Sequence, residues 1–499
     1  MTFQKFKLKP SEAGNYLEEY RNSVFSLPAA PEYAQGETCL ASVIRNVGSD
    51  VPEKDIYTRN SLVGSKVRDS IESRLSSFES NNGITQSILT ILSSPMPAGS
   101  QKNPRDYLNL YPLVPAFSYV SNSSRFTEKS WVPGEYLKGM LASTCQSFES
   151  YRNSWGKIFE LLSVSEADDI WARTITRLLS GLEEAGHEFK WALREVDEKV
   201  YVRFSNKLTS RAFESSPACV LTQSLDKLSA LKGVTTRRQW ISVFESLLRI
   251  SMGMHVVWTC KLNSKLWSII WSSDKEVSSE SLTRELFEDF ESLILDMPSD
   301  PQLRDICAEY SVARVSINYV LHYFLLHHNI SPPSFNCMAS LSKWICAIRG
   351  QLKESFTKDI VSDELLAIYQ RNTKLYQGTS GFSNNIFEYL KHSLGQKTTE
   401  EMEKRSFDQG YWCQKQGSAR NAKWLMSFGP VTVITLVSLA LPSGYGTASD
   451  IVSFLAKLGF KLNADKLLET SFGQSLVDLG LTGDNPDGER GVVVLNPFF

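Results

Sequence analysis

From residue 132 onward, hydrophobic positions recur at intervals of three and four, the spacing that places them on one face of a helix. Pro133 opens the first such run, and Tyr136, Met140, Phe148, Tyr151, Ile158 and Leu162 carry it as one continuous helix. Ser165 with Asp168 three residues later marks another helix start, followed by Ile170, Ile175, Leu178, Leu179 and Leu182 up to a break near Gly186. A further helical stretch is expected over 188–213. The segment 235–272 is the most apolar and holds Trp240, Trp258, Trp267 and Trp271. An acidic amphipathic helix is expected over 282–297, a long pair over 301–330 and 334–355 joined by Pro332-Pro333, and two more at 362–376 and 384–394. Before residue 125 the pattern is irregular. Short helices are expected at 16–25 and 39–47 and longer ones at 64–78 and 84–92, separated by breaker-rich runs such as Asn81-Asn82-Gly83.

The last seventy residues have their own pattern. Gly429-Pro430 opens an apolar run closed by Pro442-Ser443-Gly444, about a dozen residues and too short to cross a bilayer. A second helix follows, with Thr447 or Ser449 as N-cap, Ile451, Val452, Leu455 and Leu458 on one face, and Gly459 as its stop. A third begins after Asn463, with Leu468, Phe472, Leu476 and Leu479 at helical spacing. A turn-rich loop from Asp484 to Gly488 and the β-branched run Val492-Val493-Val494 then read as a hairpin. Three helices and a hairpin in this order predict a winged-helix-like module. The expected fold is therefore mainly α and multi-domain: an irregular helical region over 1–125, a large helical core over 126–400, a connector over 401–428 and the module over 429–499.

Charge decides what such a module can bind. Between Asp450 and Arg490 stand seven acids (Asp450, Asp465, Glu469, Asp478, Asp484, Asp487, Glu489) against four bases (Lys457, Lys461, Lys466, Arg490). A duplex-reading face needs a cationic surplus to displace condensed counterions, so this balance favours protein docking. The connector differs: Lys404, Arg405, Lys415, Arg420 and Lys423 interleave with Phe407, Tyr411, Trp412 and Trp424. Cations among aromatics can hold phosphates and stack bases, or can form a solvated linker anchored by its rings. Farther back, Arg237-Arg238 opposes the dipole at a helix start and marks either a partner contact or an unconstrained surface charge.

Gly410-Tyr411, Lys415, Gly417, Arg420-Asn421 and Trp424, with the tail ending Asn496-Pro497-Phe498, resemble the C-terminal ends of accessory subunits from bacterial restriction and phage-defence gene clusters. The resemblance spans about a fifth of the chain and implies no catalytic residue. It does imply partner subunits, such as an ATPase or nuclease, in an assembly acting on nucleic acid.

Composition narrows the chemistry. The 499 residues are 42% hydrophobic and 22% charged, with a net charge of −2, so any DNA contact would be local, as in 404–424. The eight cysteines lack paired short spacings, which suits reduced thiols in a cytoplasm. No signal peptide and no membrane span are expected; the apolar run 250–260 is cut short by Arg249 and Lys261. P-loop, HExxH, GxSxG and kinase signatures are missing. Three weaker sites remain. Cys39 after Gln35-Gly36-Glu37-Thr38 could be a nucleophile at a helix start, as in a cysteine hydrolase. Glu188 and Lys190 form an acid-x-Lys element of nuclease type, against a solvated helix face. His322, His327 and His328, with Cys337 and Cys346 beyond the turn, are the one histidine cluster, although positions five apart share a helix face poorly. The expectation is a cytoplasmic adaptor without an active site or cofactor.

Overall fold

A computed structural model describes residues 36–48, 111–115, 118, 132–180, 190–204, 216–272, 277–288, 291–330, 338–357, 379–393, 395–396, 410–416, 423–483 and 492–499. The protein is mainly α. The expected helices at 16–25, 64–78, 84–92 and 362–376 lie outside these residues. No helix among the described residues is long and apolar enough to cross a membrane.

The helices of the first half are α1 (Gly36–Gly48), α2 (Pro133–Thr144), α3 (Phe148–Leu162), α4 (Ile170–Ser180), α5 (Glu198–Phe204), α6 (Pro217–Val234) and α7 (Arg237–Trp271). The run expected to be continuous from Pro133 to Leu162 breaks at Cys145. Ser147 then restarts it, its hydroxyl accepting from the Ser150 amide at 3.1 Å. The helix expected over 188–213 is also shorter. Ala192 and Arg194 donate their amides to the α1-end carbonyls of Gly48 and Val47, which holds this stretch extended, and helix resumes only at Glu198. The α6 helix was not foreseen, although Pro217 at its first turn is a helix-start signal.

The α7 helix is the axis of the core. Thr236 and Gln239 form a reciprocal capping box at its start, and it is buried along nearly all of its 35 residues. It packs against α6, against α1 and against α9 (Ser299–His328). After α7 come α8 (Ser279–Thr283), a π turn (Arg284–Glu288) and strand β1 (Leu293–Ile294), where an acidic helix was expected over 282–297. Leu293 and Leu295 turn inward and Ile294 outward, a two-residue alternation that a helix cannot provide. The α9 helix ends on Asn329 in the left-handed region (φ 53°) and is followed by α10 (Met338–Thr357) and α11 (Thr379–Ser393).

The Arg237-Arg238 pair is not unconstrained surface charge. Arg237 is buried, and its guanidinium donates to the carbonyls of Leu113 (3.1 Å), Leu161 (3.2 Å), Leu162 and Ser163 (3.3 Å) and to the Asp168 carboxylate (3.4 Å). Lys232 Nζ reaches the same carbonyls of Leu161 (3.0 Å) and Ser163 (2.8 Å), and pairs with Asp168 at 3.5 Å. Two cations thus cap the C-terminus of α3, where the helix dipole welcomes them. The Asp169 carboxylate accepts from the Arg237 amide at 2.7 Å, which offsets the misplaced charge at the start of α7. Arg238 lies 4.0 Å over the Tyr111 ring.

The chain between α11 and the terminal unit forms a small sheet. Strand β2 (Gly395–Gln396) runs parallel to β3 (Cys413–Gln416), which pairs antiparallel with β4 (Lys423–Met426). The terminal unit holds α12 (Pro430–Ala440), β5 (Tyr445–Thr447), α13 (Ala448–Lys457), β6 (Phe460–Lys461), a 3-10 helix (Ala464–Glu469), α14 (Ser471–Asp478), β7 (Thr482–Gly483) and β8 (Val493–Leu495). The strands form an antiparallel sheet in the order β5-β8-β7. The third expected helix is split at Thr470, which caps α14 by accepting from the Gly473 amide at 3.1 Å. A Cβ at Gly473 would stand 1.9 Å from the Leu467 carbonyl oxygen, so the two short helices approach this closely only with glycine there.

Two measurements test this core. Arg237→Met removes the donors to Leu113 and to the last carbonyls of α3 and leaves Asp168 with Lys232 and Ser165 alone, and is expected to cost about 3 kcal/mol of unfolding free energy in a urea titration. Arg237→Lys should recover little of it, because one ammonium cannot serve carbonyls of two chain segments at once. A loss below about 1 kcal/mol for Arg237→Met would show the clamp to be dispensable. The second concerns His255, which burial holds neutral with its pKa pushed down from 6.5 to about 3. Across that window the unfolded chain binds the extra proton, so stability falls as pH drops from 6.5 toward 3. His255→Gln is expected to flatten this part of the stability–pH curve relative to the wild type.

Candidate functional site

Of the residues proposed for chemistry, those that the structure describes are not gathered into a site. Cys39 sits on α1, buried against Arg249 and Glu245, and burial pushes its thiol pKa up to about 12, so it stays protonated at neutral pH. Glu188 lies outside the described residues, and Lys190 is exposed on the extended stretch before α5 rather than on a helix face. His327 and His328 end α9 with their rings against aromatics, His327 at 4.6 Å from Tyr323 and His328 at 5.2 Å from Phe324. Cys346 directs its thiol to the Val277 carbonyl at 3.6 Å. The side chain of His322, like Cys337, lies outside the described residues. Among the described residues no three His, Cys, Asp or Glu side chains converge as a metal would require.

The basic-aromatic connector folds differently from a stacking platform. Tyr411, Trp412 and Trp424 are buried. Trp412 meets Phe460 edge-on at 5.8 Å, and Trp424 lies under the Lys391 ammonium at 5.8 Å. Trp412 thus joins the hairpin to the terminal unit and Trp424 joins it to α11, and the buried rings cannot present a face to a base. Lys423 is exposed and Lys415 half-buried, on neighbouring strands. Lys404, Arg405 and Arg420 lie outside the described residues.

What the terminal unit does present is apolar surface. Tyr445 and Leu495 are directly paired across β5 and β8, and stand 69% and 40% exposed on the outer side of the sheet. Val494, the residue before Leu495 on β8 and the partner of Gly446, faces the core and is fully buried. Phe499 is 57% exposed and its Cβ lies close to Gly444, beside Tyr445. Asn496 fixes this tail. Its side-chain amide donates to the Leu441 carbonyl at 2.9 Å and the Ser438 carbonyl at 3.3 Å at the end of α12, and its oxygen accepts from the Phe498 amide at 3.0 Å. The Asn496-Pro497-Phe498 motif is thus a brace that holds Phe499 in place. A second exposed set lies on the helices, with Leu468 41% and Val477 45% exposed.

The unit is seated on the core. Thr432 of α12 shares a hydrogen bond with Ser246 of α7 at 2.9 Å, and Lys227 of α6 donates to the Leu439 carbonyl at 2.5 Å. Strand β1 pairs parallel with β6, and Pro298 bridges to Leu425 of β4. Between these contacts Asp296, with φ 63°, accepts from the Ser471 amide at 3.0 and 3.2 Å, capping α14 from a segment 175 residues away.

Neither protein-family models nor curated proteins nor solved structures give a match to this chain.

Thiol chemistry separates a reactive from a structural Cys39. Native protein treated with iodoacetamide at pH 8 is expected to alkylate the exposed Cys346 and leave Cys39 unmodified until denaturant is added, as read by peptide mass spectrometry. Fast native labelling of Cys39 would restore the nucleophile reading.

Proposed function

We propose that the protein is a non-enzymatic adaptor subunit of a larger assembly, holding partner subunits through its C-terminal unit. The observation that carries this is the outer face of the terminal sheet, where Tyr445, Leu495 and Phe499 stand in solvent on a braced framework. Large apolar side chains grouped on one surface are a usual sign of an interaction site. The burial of Cys39, and the lack of three converging His, Cys, Asp or Glu side chains among the described residues, support a role without its own chemistry. The helix–strand–helix–helix–strand–strand order, with sheet order β5-β8-β7, supports reading the unit as winged-helix-like. The acidic balance of that unit supports a protein partner over DNA. The resemblance of the tail to defence-cluster accessory subunits supports a cytoplasmic assembly acting on nucleic acid, with an ATPase or nuclease partner doing the chemistry.

Affinity purification of the tagged full chain from its own cells tests the proposal. The wild type is expected to bring down a partner in stoichiometric amount, and the triple variant Tyr445→Ser, Leu495→Ser, Phe499→Ser to lose most of it. Val202→Ser, an exposed apolar residue on α5, serves as the neutral control. A wild type that elutes alone, or a partner retained equally by the triple variant, refutes this docking role.

A further inference from the structure

The outward side of the 3-10 helix and α14 is a second surface on the same unit, distinct from the sheet face. Leu467, Phe472, Gly473 and Leu476 face the core, whereas Leu468 and Val477 face solvent. Around those two, Asp465, Glu469, Gln474 and Asp478 are exposed, and Gln474 Nε2 donates to the Asp478 carboxylate at 3.0 Å. From Asn463 to Gly480 the exposed charges are these three carboxylates against the single ammonium of Lys466. Two exposed apolar side chains on a stretch with a surplus of carboxylates complement a partner of the opposite pattern.

We propose that this face takes a cationic amphipathic helix of a partner protein, an inference that rests on the adaptor role above. An eight-residue helix spans about 12 Å, so α14 offers room for about two turns of a partner helix. Leucine-type side chains three or four apart would lie on Leu468 and Val477, and flanking lysines or arginines would meet Asp465, Glu469 and Asp478. The same surface repels a polyanion. In addition, the amides of Ser471 and Gly473 at the start of α14, the natural seat for a phosphate, are already held by Asp296 and Thr470.

Fluorescence anisotropy with the full chain tests this, using three labelled probes: a short helical peptide of leucine and lysine, its leucine–glutamate counterpart, and a short DNA duplex. The leucine–lysine peptide is expected to bind saturably and to weaken as salt rises. Asp465→Lys, Glu469→Lys and Asp478→Lys together are expected to weaken it by about tenfold and to confer binding of the leucine–glutamate peptide. That gain cannot come from misfolding. Leu468→Ser with Val477→Ser should also lower affinity, and circular dichroism should show these exposed changes to leave the fold intact. No saturable binding of the leucine–lysine peptide overturns the proposal. So does equal binding of either anionic probe by the wild type, or indifference to the charge reversal. If the proposal fails while a co-purifying subunit still depends on Tyr445, Leu495 and Phe499, this face is removed and the sheet face stands.

Discussion

Taking a guanidinium out of water is costly unless its donors all find oxygen, and Arg237 meets that condition with parts of the chain far apart in sequence. Its donors reach Leu113, the last carbonyls of α3 and the Asp168 carboxylate, while Lys232 adds a second cation to the same carbonyls. The consequence is geometric. The C-terminus of α3, the end of α6 and the start of α7 are fixed at one point, so the long helix enters the core in a single register. Burial pushes the Arg237 pKa down to about 10, which still leaves it charged at neutral pH. The charged form is therefore the one the fold holds, and the carbonyls of α3 are stabilised by a full positive charge.

With the start of α7 fixed, its length positions everything downstream. The helix carries Ser246 to Thr432 of α12 and lies against α9, whose first residues are continuous with the strap over 293–298. That strap pairs on one side with β6 and bridges on the other to β4. It ties the core to both the hairpin and the terminal unit. Asp296 adopts a left-handed backbone that most side chains avoid, and its carboxylate takes the Ser471 amide of a helix N-terminus whose Gly473 amide is held by Thr470. The terminal unit is consequently part of the body of the protein, and its outer faces are held at a set orientation.

The sequence displayed local features clearly and long-range ones poorly. Thr236 with Gln239, Pro430 and Thr447 with Asp450 are all start signals within a turn, and each opens a helix where it was expected. The strands were harder to see. Cys413-Gln414-Lys415-Gln416 has no apolar alternation, and its pairing depends on Gly395 and on Met426, which no local pattern announces. The strap looked helical because Leu286, Phe287, Leu293 and Leu295 can be fitted to a helical period, although a parallel partner at Phe460 decides the matter. At the proposed sites the same limit applied. Tyr411, Trp412 and Trp424 are spaced like a stacking platform, yet their neighbours Phe460 and Lys391 come from elsewhere and draw the rings inward. The exposure of Tyr445 and Phe499 has no local signature, because exposure of a lone aromatic is not encoded in its immediate neighbours.

The core is apolar in the usual way, yet a few full charges lie inside it and a few large apolar groups lie outside. Arginines 45, 249 and 314 are fully buried among the helices, while large apolar groups are exposed on the terminal unit. A buried ion pair or hydrogen-bonded cation adds little net stability over a well-packed hydrophobic group, but it restricts which arrangements of helices are acceptable. Exposed apolar groups carry an opposite cost, a tendency to associate wherever they find cover. The two tendencies are compatible if the interior serves to hold a rigid frame and the surface serves to be covered. Under that division the brace at Asn496 has a clear physical role, since an apolar side chain contributes most to association when little of its freedom remains to be lost.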